Sequence, residues 1–465
     1  MSRSSDPGWV PEWARRAVFY HIYPLGFFAA PPENPRSGPP APRLYELLGW
    51  LDHIQGLGAT AIYLGPVFES ERHGYDTIDY FSIDRRLGDV TLFKEVVGEI
   101  HRRGLKVILD GVFNHTGREF FAFKDILEKR GSSPYVGWYF IDWQGNTRYN
   151  DGFGYAGWGG HASLPKLNLA NPDVRAYLFE VARMWLGDVG VDGWRLDAAG
   201  DIDPAFWWEF RRVCKQANPE CFLVGELVHG DYRKWVAPDL LDSGTNYQLY
   251  DAIWRSLNDH NYWNLKSIMD RSDHPQYGVY ADILLFNFIG NHDVPRILSR
   301  LKEPRHVYPA LIFLLTTRGI PCLYYGDEAG LRGRKEDGDP ALRAPMPRRE
   351  SWPDREGHLF RAISRLTRIR REHPALYAGD FDSLETTPTL YSYIRRAGDQ
   401  VAVVALNSGA EAAPLSIPLH RHAIPDGTVF RDVLDEEART FTVQGGKLTL
   451  ERVWPGWGRI LIAAP

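Results

Sequence analysis

The stretch GVDGWRLDAAGD, residues 190–201, places an arginine and an aspartate two positions apart within an otherwise apolar segment. In a β-strand, residues i and i+2 point to the same face, so Arg195 and Asp197 share one environment. The flanking glycines and small residues predict a strand that runs into a loop. These residues alone leave two interpretations open. The pair is either a structural ion pair or part of a functional site, since ionisable residues are rarely buried without a partner or a purpose.

Short apolar runs alternate with amphipathic helical segments on both sides of this strand. Seven other strands are predicted at 17–25, 59–67, 105–113, 221–227, 244–248, 282–293 and 320–328. Helices are predicted at 43–58, 91–104, 171–190, 203–217, 307–318 and 355–373. Asn171 and Pro172 are typical of a helix N-cap and first turn. Eight strands with helical segments between them predict an α/β fold, a (β/α)8 TIM barrel with its helices outside a parallel ring.

Two regions depart from this alternation. Residues 115–170 are rich in glycine and aromatic residues and too long for an ordinary connection, which predicts a subdomain inserted after the third strand. Residues 378–465 carry short strands punctuated by turns, which predicts a C-terminal antiparallel β-sandwich domain. The barrel then comprises 17–114 and 171–377, and residues 1–16 are an N-terminal extension.

Composition narrows the classes of partner and compartment. The 465 residues carry a formal net charge of −5 and no long basic run, so neither nucleic acid nor a membrane is an expected partner. Three cysteines make no disulfide framework, and no apolar run has the length of a signal peptide or a spanning helix. We therefore expect a cytoplasmic protein. Aromatic residues make up 13% of the chain, which suits stacking on sugar rings as well as an ordinary core.

Four acids fall at the carboxyl ends of four predicted strands: Asp110, Asp197, Glu226 and Asp293. In a TIM barrel these ends meet at one rim, where the chemistry takes place. Four like charges that converge would repel each other, and this cost favours a functional rather than a structural role.

The segments around these acids resemble the four signature segments of the α-amylase family of glycoside hydrolases. They are DGVFNHTG (110–117), DGWRLDAA (192–199), VGEL (224–227) and FIGNHD (288–293). Further matches are HGYDTIDY (73–80), LPKLN (164–168) and DPALR (339–343), so the resemblance spans about 17–375. LPKLN is similar to the MPKLN form of the neopullulanase, cyclomaltodextrinase and maltogenic amylase subgroup. The absence of a Lys-His pair after Asp197 points to the same subgroup.

The resemblance implies that Asp197 is the nucleophile, Glu226 the acid and base, and Asp293 a stabiliser of the distorted sugar. Retaining hydrolysis needs two carboxyl groups about 5–5.5 Å apart, one ionised and one protonated. Arg195, on the same face as Asp197, is expected to hold that carboxylate ionised. An apolar replacement of Arg195 is accordingly expected to lower the rate more than the stability.

The resemblance also implies further substrate-binding residues around the same sugar: Tyr75, Asp110, His115, His292, Asp339 and Arg343. The two histidines donate hydrogen bonds to the ring, Tyr75 stacks beneath it, and Asp110 braces Arg195. His229 follows the acid and faces the next sugar, and Trp158 is a candidate sugar platform. A loop cap and a core position are the alternatives for His115 and Tyr75. His101 and His161 are interpreted as structural.

Two features differ from the family pattern. The first strand begins near residue 17, which leaves no room for the N-terminal domain that relatives swap between subunits, so no N-domain-swapped dimer is expected. The loop after that strand offers only Glu33 and Asn34, whereas calcium needs about six oxygens. Asn114 resembles a calcium-ligand position without its expected histidine partner. No metal or cofactor is expected to be required, with a structural calcium as the alternative.

The sequence thus predicts a retaining hydrolase of α-1,4-glucosidic bonds in maltooligosaccharides, cyclodextrins, starch or pullulan, with possible transglycosylation. The alternative keeps the same three acids in a glucanotransferase, a trehalose-forming isomerase or a sucrose-active enzyme. A third hypothesis is an inactive binding homologue, which the retained acids disfavour.

Overall fold

A computed structural model describes residues 7–463. Eight parallel strands form its central sheet, numbered here in chain order: β1 (Phe19–Ile22), β2 (Ala61–Leu64), β3 (Lys106–Gly111), β4 (Gly193–Leu196), β5 (Phe222–Gly225), β6 (Ser243–Gly244), β7 (Phe286–Phe288) and β8 (Ile320–Tyr324). Their order in the sheet is β6-β5-β4-β3-β2-β1-β8-β7. The backbone N–H of Asn246 donates to the Phe286 carbonyl at 2.9 Å and joins the two edges. The predicted barrel is confirmed.

Helices surround this ring. The longer α-helices are Val90–Arg102, Phe121–Lys129, Pro172–Arg183, Pro204–Ala217, Tyr247–Asn258, Tyr262–Asp273, Val307–Thr316 and His358–Glu372. The shorter ones are Glu12–Arg16, Pro24–Phe27, Leu51–Gly56, Ile297–Arg300, Asp339–Leu342 and Pro374–Ala378. Asn171 caps its helix as predicted, because its side chain accepts from the N–H groups of Asp173 and Val174. Within residues 7–463, every helix is too short or too polar to cross a membrane.

The sixth barrel strand differs from its prediction. A strand was expected over 244–248, but β6 contains only Ser243 and Gly244. The Asn246 side chain accepts from the Leu249 N–H at 3.1 Å and starts a helix at Tyr247. Between β5 and β6 the chain makes only the 3-10 turn Tyr232–Lys234 and no α-helix. The early helix start brings Tyr247 to the rim of the barrel.

The interior of the barrel is filled with side chains and closed at its amino-terminal end. One buried cluster combines inward-facing residues of the strands, among them Phe19, Ile108 and Phe222, with Val10 and Ala14 from the start of the described chain. The N-terminal segment therefore plugs the bottom of the barrel. A cavity lies at the opposite end, where the strands reach their carboxyl termini.

Two insertions rise above this end. A hairpin of Phe68–Ser70 and Thr77–Ile83 follows β2. The longer excursion after β3 contains the helix Phe121–Lys129 and the two-stranded sheet Ile141–Asp142 with Gly154–Tyr155.

The C-terminal region is an antiparallel β structure, as predicted. Its six-stranded sheet has the order Asp380–Thr386, Leu390–Ala397, Gln400–Asn407, Trp457–Ala463, Val429–Asp432, Thr440–Thr442. Ala413–Pro418 pairs with Lys447–Val453, and this second sheet shares a buried cluster with the first. Buried Arg395 donates to the carbonyls of Thr316, Leu376 and Gly379 and ties the sheet to the barrel helices. The exact domain boundaries stay predictions.

Candidate active site

A cavity of about 590 Å³ opens at the carboxyl ends of the barrel strands. Its lining brings together side chains from the segments that follow β4, β5, β6, β7 and β8 and from the two insertions: His73, Tyr75, His115, Trp158, His161, Ser163, Leu164, Asp197, Glu226, Val228, Tyr247, Asp293, Val294, Lys335, Asp339 and Arg343. The three predicted catalytic acids therefore face one space. The fold places them there because Asp197 and Glu226 directly follow β4 and β5, while Asp293 lies five residues beyond β7.

A single guanidinium joins three of the acids. Arg195 Nη1 donates to Asp110 Oδ1 at 2.8 Å and to Asp197 Oδ1 at 2.9 Å. Arg195 Nη2 lies 2.7 Å from Glu226 Oε1. Because the guanidinium is a small, rigid plane, the carboxyls of Asp197 and Glu226 are held as close neighbours on its two amino groups. Asp110 braces Arg195 from the wall of the barrel, as expected.

The backbone next to Asp197 holds the other oxygen of Glu226. Ala198 adopts the left-handed conformation, with φ 47° and ψ 34°, which is unusual for a residue with a Cβ. In this conformation its N–H donates to Glu226 Oε2 at 3.0 Å. Tyr247 adds a hydrogen bond from its hydroxyl to Glu226 Oε1 at 3.3 Å. Such uncommon backbone geometry is typical of functional sites.

Asp293 has two cationic or polar neighbours of its own. His292 Nε2 lies 2.9 Å from Asp293 Oδ2, and Arg343 Nη2 donates to Asp293 Oδ1 at 3.0 Å. Burial acts to raise the pKa of Asp293, but His292, Arg343 and Arg195 outweigh it and hold this pKa well below the ordinary value. Asp293 is therefore ionised near neutral pH.

Several neighbours act on the pKa of Asp197 in opposite directions. Burial raises the pKa of Asp197 well above its ordinary value; Arg195 acts in the opposite direction, and the carboxyls of Glu226 and Asp110 add to the rise. Arg195 acts in the predicted direction, and the ionised state of Asp197 stays a prediction. Three acids share one guanidinium in this buried site, so one positive charge does not offset all of them.

Tyr75 lines the cavity, and its ring stacks on that of His292, which is buried and outside the lining. Their rings are parallel within 8° at a centroid distance of 5.3 Å, and the Tyr75 hydroxyl donates to Asp110 Oδ2 at 3.0 Å. His115 Nε2 contacts the Tyr75 carbonyl at 3.1 Å, and burial lowers the pKa of His115 to about 3. His115 is therefore a neutral imidazole and a hydrogen-bonding group rather than a charge.

Two residues of the insertion after β3 form one wall. Trp158 is partly exposed, and its Nε1 donates to Asp201 Oδ2 at 3.1 Å, which fixes the indole plane. His161, interpreted from the sequence as structural, lies on the same wall with its ring stacked on Trp158 at 6.2 Å. His101, the other histidine so interpreted, pairs with Asp192 at 2.8 Å outside the cavity.

His229 does not reach this cavity. It is exposed, and Val228 lines the wall in its place. After β5 ends at Gly225, Glu226 and Val228 face the cavity, whereas His229 faces solvent. Asp339 and Arg343 both line the cavity, and Arg343 Nη2 lies 3.1 Å from Asp339 Oδ2.

Some residues of the site were not identified from the sequence. Tyr63 donates from its hydroxyl to Asp110 Oδ2 at 2.7 Å, and Tyr247 contacts Glu226. Tyr63 is the third residue of β2, an inward position near the same rim as Asp110 on β3, so strand alternation carries a signal for it. Tyr247 carries none, because its position depends on where the helix after β6 begins.

The residues considered for calcium do not fit a hard cation. Glu33 pairs with Arg72, and the Asn34 amide oxygen accepts from the Arg36 N–H. Asn114 Oδ1 is buried without a hydrogen-bond partner in the described chain, but it supplies only one oxygen. Calcium takes six to eight oxygens, so no calcium site is derived from these side chains.

Comparison with known proteins shows which family the chain resembles. The family described as alpha amylase, catalytic domain, matches residues 47–352. Neopullulanase 2 of Thermoactinomyces vulgaris is 36% identical over 431 residues, which is 86% of this chain and 71% of that protein. The cyclomaltodextrinase of Geobacillus thermopakistaniensis is 35% identical over 88% of this chain and 72% of its own length.

Among solved structures, the cyclic α-maltosyl-(1→6)-maltose hydrolase of Arthrobacter globiformis superposes with a TM-score of 0.80. It is 30% identical and covers 98% of this chain and 100% of that chain. Family match, identity over most of the chain and a shared fold agree with one another. The chain belongs to the α-amylase family of glycoside hydrolases.

Proposed function

We propose that this protein hydrolyses α-1,4-glucosidic bonds in maltooligosaccharides, cyclodextrins, starch or pullulan with retention of anomeric configuration. The observation that carries the proposal is the shared guanidinium: Asp197 Oδ1 and Glu226 Oε1 each contact one amino group of Arg195. Carboxyls held this close suit a double displacement, which uses a separation of about 5–5.5 Å, rather than an inverting reaction with a water between them.

In the first step, a carboxylate oxygen of Asp197 attacks the anomeric carbon while the glycosidic bond breaks. Glu226 gives its proton to the departing oxygen, and a glycosyl ester forms on Asp197. In the second step, Glu226 takes a proton from water, the water oxygen attacks the anomeric carbon, and Asp197 is released. One water is consumed, and Glu226 ends with its proton restored.

The attack needs Asp197 in its ionised form, although burial favours its protonation. Glu226 contacts the other amino group of the same guanidinium, and in this mechanism it takes up the proton. Asp293, ionised through His292 and Arg343, would then stabilise the positive charge that develops on the sugar ring. Tyr75 would stack on this ring, and Trp158 would carry a neighbouring sugar.

The alternative is a transferase or isomerase with the same acids. The two differ in which hydroxyl attacks the glycosyl ester, that of water or that of a sugar. Trp158 lines the cavity and is partly exposed, so both water and a second sugar can reach the glycosyl ester. The relatives named neopullulanase and cyclomaltodextrinase favour hydrolysis, with transglycosylation as a side reaction.

We also propose that the protein acts in the cytoplasm and requires no metal for the reaction. Cys214, Cys221 and Cys322 are buried free thiols, which suits a reducing compartment. Both steps of the mechanism above are assigned to side chains of the chain itself.

The test is to incubate the protein with β-cyclodextrin, pullulan and maltotriose and to identify the products by chromatography. New reducing ends and an initial α-anomer in the proton spectrum are the expected result. A disaccharide isomer formed without a gain of reducing ends would favour the alternative. Asp197→Asn should lower kcat by about 10⁴-fold or more while circular dichroism and the melting temperature stay unchanged.

A further inference from the structure

Two histidines and a glutamate converge at the junction of the barrel and the C-terminal sheet, away from the catalytic cavity. His260 lies between the helices Tyr247–Asn258 and Tyr262–Asp273, and Glu303 and His306 precede the helix Val307–Thr316. One ligand atom from each lies within 4.8 Å of the other two, and within residues 7–463 no other His, Cys, Asp or Glu group has this spacing.

The hydrogen bonds around the two imidazoles prepare them as ligands. Both rings contact the carbonyl of Ser408, His260 through Nδ1 at 3.1 Å and His306 through Nε2 at 3.0 Å. A neutral imidazole that donates from one nitrogen presents a lone pair on the other. In His260 this is Nε2, which lies 3.0 Å from Glu303 Oε1. A metal-binding histidine usually donates its other ring N–H to a carbonyl in this way.

His306 supplies a second, independent observation. Its side chain is fully buried, and its Nδ1 has no hydrogen-bond partner in the described part of the chain. An unpaired buried polar atom is costly, so a ligand that uses the ring would remove a penalty. The lone pair of His306 is on Nδ1, because Nε2 donates to Ser408. Glu303 lies beside the same ring, with Oε2 at 3.9 Å from Nε2.

Glu303 also forms an ion pair with Arg305, which fixes its second carboxylate oxygen. Arg305 contacts Oε2 through Nη2 at 2.6 Å and through Nε at 2.9 Å. This contact leaves Oε1 turned toward His260. A carboxylate whose second oxygen is held by a hydrogen-bond donor is a common arrangement at metal sites.

We propose that His260, Glu303 and His306 bind a zinc ion. Two imidazole nitrogens and one carboxylate oxygen are the donor set that zinc accepts, whereas calcium and magnesium prefer oxygen alone. His260 and Glu303 are partly exposed, with side-chain exposures of 41% and 35%, so a water can complete four-coordination. The ion would sit against Ser408 of the C-terminal region and hold it to the barrel.

The competing interpretation is an ion-pair network without metal, in which Glu303 simply bridges His260 and Arg305. The two interpretations differ in one measurable property. A site that forms only in the folded chain gains stability from its ligand by mass action, whereas an ion-pair network gains nothing from added zinc.

The test uses the full-length protein, stripped of metal with a chelator and dialysed against zinc chloride. Bound zinc is measured by mass spectrometry, and the melting temperature is recorded with zinc or magnesium. His260→Asn and Glu303→Gln remove one ligand each; asparagine suits the positive φ of 48° at position 260. His274→Gln is the matched control, since His274 pairs with Asp382 at 3.7 Å outside the cluster.

We expect the wild type and His274→Gln to hold one more equivalent of zinc than the two ligand variants. Zinc, but not magnesium, should raise the melting temperature of the first two proteins only, and zinc affinity should fall at least about tenfold in each ligand variant. Equal zinc uptake by all four proteins, or a wild-type melting temperature that does not respond to zinc, would overturn the proposal. Zinc bound at the catalytic acids would be the same in all four.

Discussion

The N–H of Ala198 donates to Glu226 Oε2, so the residue directly after the proposed nucleophile holds the proposed acid. This contact exists because Ala198 adopts a left-handed backbone at the end of β4. The positions of Asp197 and Glu226 are thereby coupled through one peptide unit as well as through Arg195. The strained alanine is part of how the two strands align their carboxyls.

Arg195→Met should cost both rate and stability. Asp110, Asp197 and Glu226 all contact this guanidinium, and its loss would leave buried carboxyls without a positive partner. We expect the free energy of unfolding to fall by about 3–5 kcal/mol at neutral pH. The sequence alone led us to expect a smaller effect on stability than on rate, because it showed a single Arg–Asp pair.

The measurement is urea unfolding of both proteins at neutral and mildly acidic pH. The destabilisation should shrink in acid, since the raised pKa of Asp197 means that this carboxyl gains its proton early as the pH falls. A variant as stable as the wild type at neutral pH would contradict the importance of the shared guanidinium.

Tyr247→Phe tests the hydrogen bond to the proposed acid. The Tyr247 hydroxyl donates to Glu226 Oε1 and accepts from Asn291 Nδ2 at 3.1 Å. Loss of one hydrogen bond is worth about 1 kcal/mol, so kcat/KM should fall about fivefold. The measurement is kcat/KM for maltotriose, with the melting temperature as the check on folding. An unchanged kcat/KM would mean that Tyr247 only fills space.

Arg343→Lys should show that the guanidinium fork matters beyond its charge. Arg343 reaches Asp293, Asp339 and the His292 carbonyl at once. A lysine keeps the charge but can direct its donors to fewer of these groups. We expect kcat/KM for maltotriose to fall about tenfold with little change in melting temperature. Lys335→Met, which removes an exposed charge on the same cavity, is the comparison variant and should have a smaller effect.

Asp192→Asn should lower stability in a pH-dependent way. Burial acts to raise the pKa of Asp192, but His101, Lys106 and the Val107 N–H hold it below the ordinary value. A lowered folded-state pKa contributes stability above the unfolded value, and this contribution is lost as the pH falls through the folded value. The deficit should be about 2 kcal/mol at neutral pH.

Urea unfolding across the acidic range measures this deficit, which should begin to shrink below the ordinary aspartate pKa of about 3.9 and vanish below the lower folded-state pKa. Asp231→Asn is the control, because Asp231 forms an exposed pair with Arg233, and such pairs contribute little. A deficit of Asp192→Asn that persists at low pH would assign the effect to packing rather than to charge.

The barrel and the three acids could be predicted because their signals are local. Runs of apolar residues mark β4, β5 and β7, and Asp197, Glu226 and Asp293 follow these runs. The helix after β6 could not be predicted in its exact start, because the cap at Asn246 competes with a strand that continues through Thr245. Tyr247 was therefore not predicted as a site residue. His229 was predicted to face the sugar, but the neighbouring Val228 lines the cavity instead.

The sequence by itself determined that acids from separate strands meet at one rim, since the carboxyl ends of parallel strands always lie on the same side of a barrel. Only the tertiary structure decided how many of them share Arg195, that burial raises the pKa of Asp197, and that His260, Glu303 and His306 come together. Desolvation and contacts between distant segments depend on how the whole chain packs, and no short stretch of residues encodes them.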